Sequence, residues 1–469
     1  MRETDAITAM PMRTDRIEWE ERLLADEGLL RHIADKIKGP FHVIYPDQVV
    51  ENIRAFQKVF ANSEVKGRIY YGKKANKSAC VVAACAEAGV GIDVASVDEL
   101  TTAEAGGIRG PDLMVTGPHK SDELLTRAAK AGALIAVDSL GELARLSELS
   151  RRADSNAPAR IVMRVLPPNS CSRFGMTAEE LDAALPRAEA MLVRLEGFSF
   201  HLGGYEAAPR AELARALVER CLDAREAGHP ADTISIGGGF SVNYVGAAAW
   251  NAFSRSVNAH WFQGGRIPRG ESYPYHCPAP GPEMLKNILS HSNLGNILRE
   301  KHIRLAIEPG RALLDRAGST VFRVQGRKTR VAHGLPYDIL TVDGTSFSLS
   351  EQWFDSEYLP DPVLWPERAG AETPTCVGGA SCLESDMLSW RRIPLPRAAE
   401  VDDLLVYPNT AGYQMDSNES RFHGLPIPPK IVLRDKKDGR QFTWAREKDP
   451  HEPEICQHCS STHPALHPS

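Results

Sequence analysis

Eight short apolar runs constrain this fold more than any other feature of the chain. They cover residues 68–71, 91–95, 113–116, 134–137, 160–165, 195–201, 233–236 and 304–307. Most are separated by stretches with helical apolar spacing, at 78–88, 97–105, 121–131, 140–149, 178–191 and 211–226. Strands that are apolar along their whole length, alternating with amphipathic helices, suit a parallel sheet covered by helices. The competitors are a closed eight-stranded barrel and an open doubly wound sheet. Polar residues decide between them, because Lys74, Asp93 with Ser96, His201, Gly237, Gly238, Gly239, Glu308 and Arg311 all stand where a strand run stops. A barrel gathers those ends on one face, whereas an open sheet spreads them across its width. The pattern therefore predicts a TIM-like, eight-stranded α/β barrel over residues 46–312.

After Thr320 the text changes to short alternating runs at 321–324, 339–342 and 404–407 with turn residues between them, which predicts a C-terminal β-domain over 313–445. Ahead of the barrel, 18–38 reads as one helix and 41–45 as a strand, with Asp47 capping a further helix through Ala55 and Phe60. A long insertion, about 241–304, carries Trp250, His260, Trp261, Phe262, Tyr273, Tyr275, His276 and Cys277. It reads as a lid or specificity loop in preference to a surface elaboration. Residues 446–469 read as a flexible tail. Its Cys456 and Cys459 form half a metal site that His451 or His463 would have to complete, so no metal is expected.

At 469 residues the chain exceeds one ordinary core, and 42% apolar with 25% charged residues is a soluble globular composition. A net charge of −6 gives no reason to expect nucleic acid or an anionic membrane as partner. No window approaches the roughly 20 apolar residues of a membrane span, and the charged N-terminus is not a signal peptide. Nine scattered cysteines suggest no disulfide framework and fit a reducing cytoplasm.

Taken singly, the polar residues are ambiguous. Lys74 could be a nucleophile or a solvated lysine at a strand end. Three glycines could form an anion nest or a tight turn. Asp93, Ser96 and Glu99 suit a catalytic cluster and a helix cap equally. Taken as an ordered set, the segments around Lys74-Ala75-Asn76, His201, Gly237-Gly238-Gly239, Glu308-Pro309-Gly310-Arg311, Cys382 and Ala411-Gly412-Tyr413 resemble the ornithine/diaminopimelate/arginine decarboxylase family. These are the pyridoxal-phosphate enzymes of the alanine-racemase-like fold, and the resemblance spans roughly residues 40–433.

The resemblance implies pyridoxal 5′-phosphate as cofactor. It places the aldehyde-binding amine on Lys74 and not Lys73, and strand alternation agrees that only one of two adjacent lysines faces the mouth. Partial burial and a cationic cofactor ring would keep some of that amine neutral. The resemblance sets Gly237, Gly238, Gly239, Arg311 and Tyr413 at the cofactor phosphate, Glu308 at the pyridine nitrogen, His201 on the ring face and Asp93 near the imine. Cys382 becomes the proton donor to Cα, delivered by the partner of a homodimer with shared sites. The N-terminal segment, 1–45, joins the β-domain. One departure stands out: Leu383 occupies the position of the acidic residue that binds the far end of a diamino acid, leaving Glu384 or Asp386 to compensate. The implied activity is decarboxylation of an amino acid or an amino-acid-containing conjugate. Glu308 and the cysteine loop count against a racemase or epimerase. Retention of Lys74, His201, Glu308 and Cys382 counts against a catalytically silent regulatory homologue.

Overall fold

A computed structural model describes residues 8–152, 157–189, 193–265, 267, 273–350, 358–416, 421–437, 439 and 441–447. Cys456, Cys459, His451 and His463 lie outside the described residues. The first strand, β1 (Phe41–Ile44), precedes eight parallel strands: β2 (Gly67–Gly72), β3 (Gly91–Val94), β4 (Leu113–Val115), β5 (Leu134–Val137), β6 (Ala159–Arg164), β7 (Val193–Ser199), β8 (Thr233–Ser235) and β9 (Arg304–Ile307). They close into a barrel in sequence order, with β9 pairing back onto β2 at Leu305 and Gly67.

Side-chain alternation separates the barrel's two apolar layers. Tyr70, Met114, Leu134, Ala136, Val162 and Ala306 form one small buried cluster. Their strand neighbours Ile69, Tyr71, Leu113, Val115, Ile135, Val137, Ile161 and Met163 belong to the main core shared with the helices. A period of two assigns the first set to the barrel interior and the second to its outer face.

Eight further strands follow: β10 (Gly318–Ala332), β11 (Leu335–Val342), β12 (Val363–Trp365), β13 (Thr373–Gly378), β14 (Met387–Leu395), β15 (Leu404–Tyr407), β16 (Lys430–Asp435) and β17 (Phe442–Arg446). They build a second, mostly antiparallel sheet in the order β14-β13-β11-β10-β1-β16-β17, with β15 joining β10 to β12. The N-terminal β1 sits inside that sheet, antiparallel to β10 and parallel to β16. The helices before it pack Trp19, Leu23, Leu30 and Ile33 against Phe41, Val321, Leu404 and Ile431.

Two local expectations are corrected, and one choice between readings narrows. Residues 18–38 form two helices, Glu18–Ala25 and Glu27–Ile37, because Asp26 leaves helical geometry and its carboxylate accepts the Leu29 N–H at 2.9 Å. The next helix, Pro46–Asn62, starts one residue before Asp47, with proline in its first turn and no side-chain cap. The insertion is packed into the molecule, which excludes a loose surface elaboration, and its Tyr244 and Tyr273 reach Arg311. Its second half holds helices Gly281–Ser290 and Leu294–Glu300, which pack in the barrel's outer ring against Ala207–Glu226. Its first half is wedged between the two domains: Phe262 bridges Arg391, and the Tyr275 hydroxyl accepts the Leu359 N–H at 3.3 Å. Trp261, Phe262 and Tyr275 are buried. Among the described residues no helix is long and apolar enough to cross a membrane.

Candidate active site

The β2 strand ends at Gly72 and runs into a single tight turn, Lys73–Ala75. This turn sends the two lysines to different places. Lys73 is buried and its ammonium donates to the Lys77 carbonyl at 3.3 Å. Burial pulls its pKa down, against the pull of Glu99 and Asp416. Lys74 faces the barrel mouth. Burial lowers its pKa too, but Asp93, Tyr413, Glu308 and Glu99 outweigh that and hold it above the ordinary lysine value. At this amine the neighbouring acidic groups therefore outweigh burial.

Those carboxylates come from the ends of β3 and β9. Asp93 is buried and accepts the Thr116 hydroxyl at 2.7 Å. Burial and then Glu308 raise its pKa to about 7, with Lys74 and Thr116 pulling the other way. Glu308 accepts the Ser235 hydroxyl at 2.5 Å, and its own N–H donates to the Gly237 carbonyl at 2.9 Å. At the next helix start, Ser96 Oγ accepts the Glu99 N–H and the Glu99 carboxylate accepts the Ala95 N–H. Glu99 thus caps its helix and also contributes to the field at both lysines.

His201 follows β7. The Gly238 N–H donates to its Nδ1 at 3.3 Å, so the network assigns the ring proton to Nε2. Burial, then the charges of Lys74, Arg164 and Arg210, lower its pKa to about 4, which makes it a neutral ring at physiological pH. The glycine turn after β8 is tight for two reasons. Gly237 has φ +68°, and a Cβ there would stand 2.6 Å from His201 Nδ1. A Cβ on Gly238 would stand 2.6 Å from the Glu308 carbonyl. Only bare backbone can pass between the histidine and the glutamate.

Arg311 is buried beyond that turn and its guanidinium donates to the Tyr244 hydroxyl at 2.6 Å. It lies 4.2 Å from the Tyr273 ring centroid and 4.8 Å from that of Tyr413. Tyr413 arrives from the β-domain, where its N–H donates to the Ala75 carbonyl at 2.7 Å and its hydroxyl lies against Gly310. The structure thus gathers Lys74, Asp93, His201, Gly237, Gly238, Gly239, Glu308, Arg311 and Tyr413 at one mouth.

The cysteine loop has a different setting. Cys382 is exposed, with its Sγ 3.1 Å from His423 Nε2. Leu383 is 45% exposed and Glu384 is exposed. Asp386 points inward, its carboxylate accepting the Ser346 N–H at 2.7 Å and the Ser381 N–H at 3.0 Å. It braces the loop, which leaves Glu384 as the more available acid. Several participants escaped the sequence reading: Ser235, Thr116, Tyr244, Arg210 and His423. Arg210 donates to the Leu202 and Gly204 carbonyls, holding the segment after His201. Position two before the glycine triplet was the only available signal for Ser235, and the others had none.

Residues 46–264 match the family described as "Pyridoxal-dependent decarboxylase, pyridoxal binding domain". An uncharacterized protein of Sinorhizobium fredii, y4yA, is 36% identical over 413 residues, covering 86% of this chain and 89% of its own. The chain belongs to the pyridoxal-dependent decarboxylase family. A diaminopimelate decarboxylase of Halalkalibacterium halodurans is 26% identical over 429 residues, 86% of this chain and 88% of its own. Among solved structures, diaminopimelate decarboxylase of Helicobacter pylori complexed with L-lysine superposes with a TM-score of 0.69 at 19% identity, covering 89% of this chain and 97% of that one. Arginine decarboxylase of Paramecium bursaria Chlorella virus bound to agmatine gives 0.65 at 17%, covering 86% and 98%. At these identities the structures share the fold.

Family membership makes pyridoxal 5′-phosphate the cofactor, and the residues at the mouth fit it. An amine stands between carboxylates, a hydroxyl fixes one of those carboxylates, and a glycine turn that no side chain can enter lies beside a buried arginine. A phosphate monoester with an aldehyde and a basic ring nitrogen needs this donor set.

Proposed function

We propose that this family member decarboxylates an amino acid, or a conjugate containing one, as a homodimer with shared sites. The observation that carries the reading is the Ser235–Glu308 contact at 2.5 Å beside the Lys74 amine. A carboxylate held by a hydroxyl is positioned to keep a ring nitrogen protonated. When bound, the cofactor supplies an electron-withdrawing ring that accepts the pair released as CO2 departs. Lys74 holds the aldehyde end, and Asp93 sets the charge beside it. Neutral His201 would hold the ring in place without adding a repelling cation. The glycine turn, Arg311 and Tyr413 bind the phosphate. Cys382, or Lys74 itself, returns a proton to Cα, Cys382 doing so from the partner chain. Placing Cys382 on an exposed loop, outside the group around Lys74, supports delivery across an interface.

The substrate follows from the loop. With Leu383 in the acid's position and Asp386 occupied by two amides, a distal ammonium is left with the exposed Glu384, a solvated and therefore weaker anchor. Desolvating an unpaired ammonium costs a few kcal/mol, on the order of what separates a good substrate from a poor one. The decarboxylase therefore prefers a larger or less cationic conjugate to lysine, ornithine or meso-diaminopimelate. Manometric CO2 release across D- and L-amino acids and their conjugates tests this reading. Turnover of any of those three diamino acids at an ordinary enzymatic rate, about 10 per second, would overturn the substrate assignment, and absence of CO2 from every compound would overturn the activity.

A further inference from the structure

Cys382 and His423 come from separate loops, one between β13 and β14 and the other in the turn Phe422–Gly424 ahead of β16. Their side chains meet with Sγ 3.1 Å from Nε2, and the Cys382 N–H points to the same nitrogen at 3.4 Å. Two donors converging on Nε2 assign its lone pair inward and the ring proton to Nδ1. The thiol and the Cys382 N–H then both face the Nε2 lone pair. Both sides of the contact are held. Asp386 pins the cysteine loop through the Ser346 and Ser381 amides, and His423 adopts φ +57°, a left-handed conformation that most side chains avoid. The other charged groups on these two segments are Glu384, Asp386 and Arg421.

We infer that His423 is a positioning residue for Cys382, which holds the thiol in place and reloads it with a solvent proton after each turnover. The inference rests on the decarboxylase reading above. When Cys382 protonates Cα, the S–H bond breaks, a C–H bond forms, and the electron pair stays on sulfur as thiolate. The ring takes a proton from water and passes it from Nε2 to sulfur, so each CO2 released consumes one proton and both side chains return to their starting state. A thiol alone would exchange slowly once the partner chain covers it, whereas an imidazole at 3.1 Å is a built-in acceptor and donor.

The test uses the full-length holoprotein and the variants His423→Gln and His423→Asn. Alkylation of Cys382 by iodoacetamide is followed against pH by peptide mass, with exposed Cys171 in the same digest as reference. Wild-type Cys382 should react about tenfold faster at pH 7 than in either variant, because the imidazole accepts the thiol proton. Superimposable profiles would overturn the inference. If neither variant folds, the shape of the wild-type pH profile decides, since a Cys382 rate that rises with pH just as that of Cys171 does would also overturn it. CO2 and amine product are then measured together. Loss of His423 should lower the amine formed per CO2, and an unchanged ratio with an unchanged pH profile counts against the inference. No CO2 from wild type would instead remove the decarboxylase reading, while the alkylation result would still judge the pair.

Discussion

Glu308 and Lys74 lie in the same electrostatic field but do different work, and single substitutions separate them. Glu308→Gln keeps the Ser235 contact and loses the charge. It should retain cofactor absorbance and lose about 2–4 kcal/mol of barrier lowering, read as a fall in kcat. Unchanged turnover would make Glu308 a structural residue. Lys74, His201 and Glu308 were legible in the sequence because each closes a strand run and belongs to a spaced set. Ser235 and Thr116 were not, since a hydroxyl acquires its role only from the carboxylate it meets at the end of the neighbouring strand. Lys73 shows the limit of strand alternation: the separation of the lysines comes from the turn Lys73–Ala75, which the alternation argument did not include.

Among the elements, the glycine turn and the first helix make opposite kinds of claim. Gly238→Ala puts a methyl group 2.6 Å from the Glu308 carbonyl, so the barrel should fold but bind cofactor weakly, seen as loss of the visible band on dialysis. Retention of the band would show that the turn yields. In the helix Glu18–Ala25, Glu20 is buried against β10, where it accepts the Ser319 hydroxyl at 2.9 Å. Burial raises its pKa from 4.5 to about 7. A carboxyl raised in the folded state contributes stability that is full below the ordinary value and is lost as pH rises through about 7. Wild-type Tm should therefore fall between pH 5 and 8, and Glu20→Gln should remove that part of the fall, worth up to about 3 kcal/mol, and melt higher at pH 8. A variant that tracks wild type at every pH would contradict this. The strand positions were readable because a buried parallel strand is apolar throughout. The break at Asp26 was not, because the helical spacing continues across it.

At the level of the molecule, the barrel and the second sheet meet at the mouth. Tyr413 reaches Ala75 and the wedge around Phe262 reaches Arg391; below them, Glu447 accepts the Cys80 N–H at 2.9 Å. The insertion's role was invisible in sequence because its aromatic residues look alike whether they line a pocket or fill a domain junction. The proposed supply of Cys382 by a partner chain has a direct consequence. Lys74→Ala and Cys382→Ala proteins, each unable to form the amine product, should regain amine formation from the one intact site per mixed dimer when mixed under conditions of subunit exchange. No recovery with exchange verified would mean that each chain completes its own site.

The mouth of the barrel is built around one nitrogen, and its identity can be read chemically. Borohydride reduction of the purified holoprotein should abolish the visible absorbance and leave a stable pyridoxyl label, located by peptide mass spectrometry. The account predicts the label on Lys74. A label on Lys73, or on any lysine away from Asp93, His201 and Glu308, would contradict it.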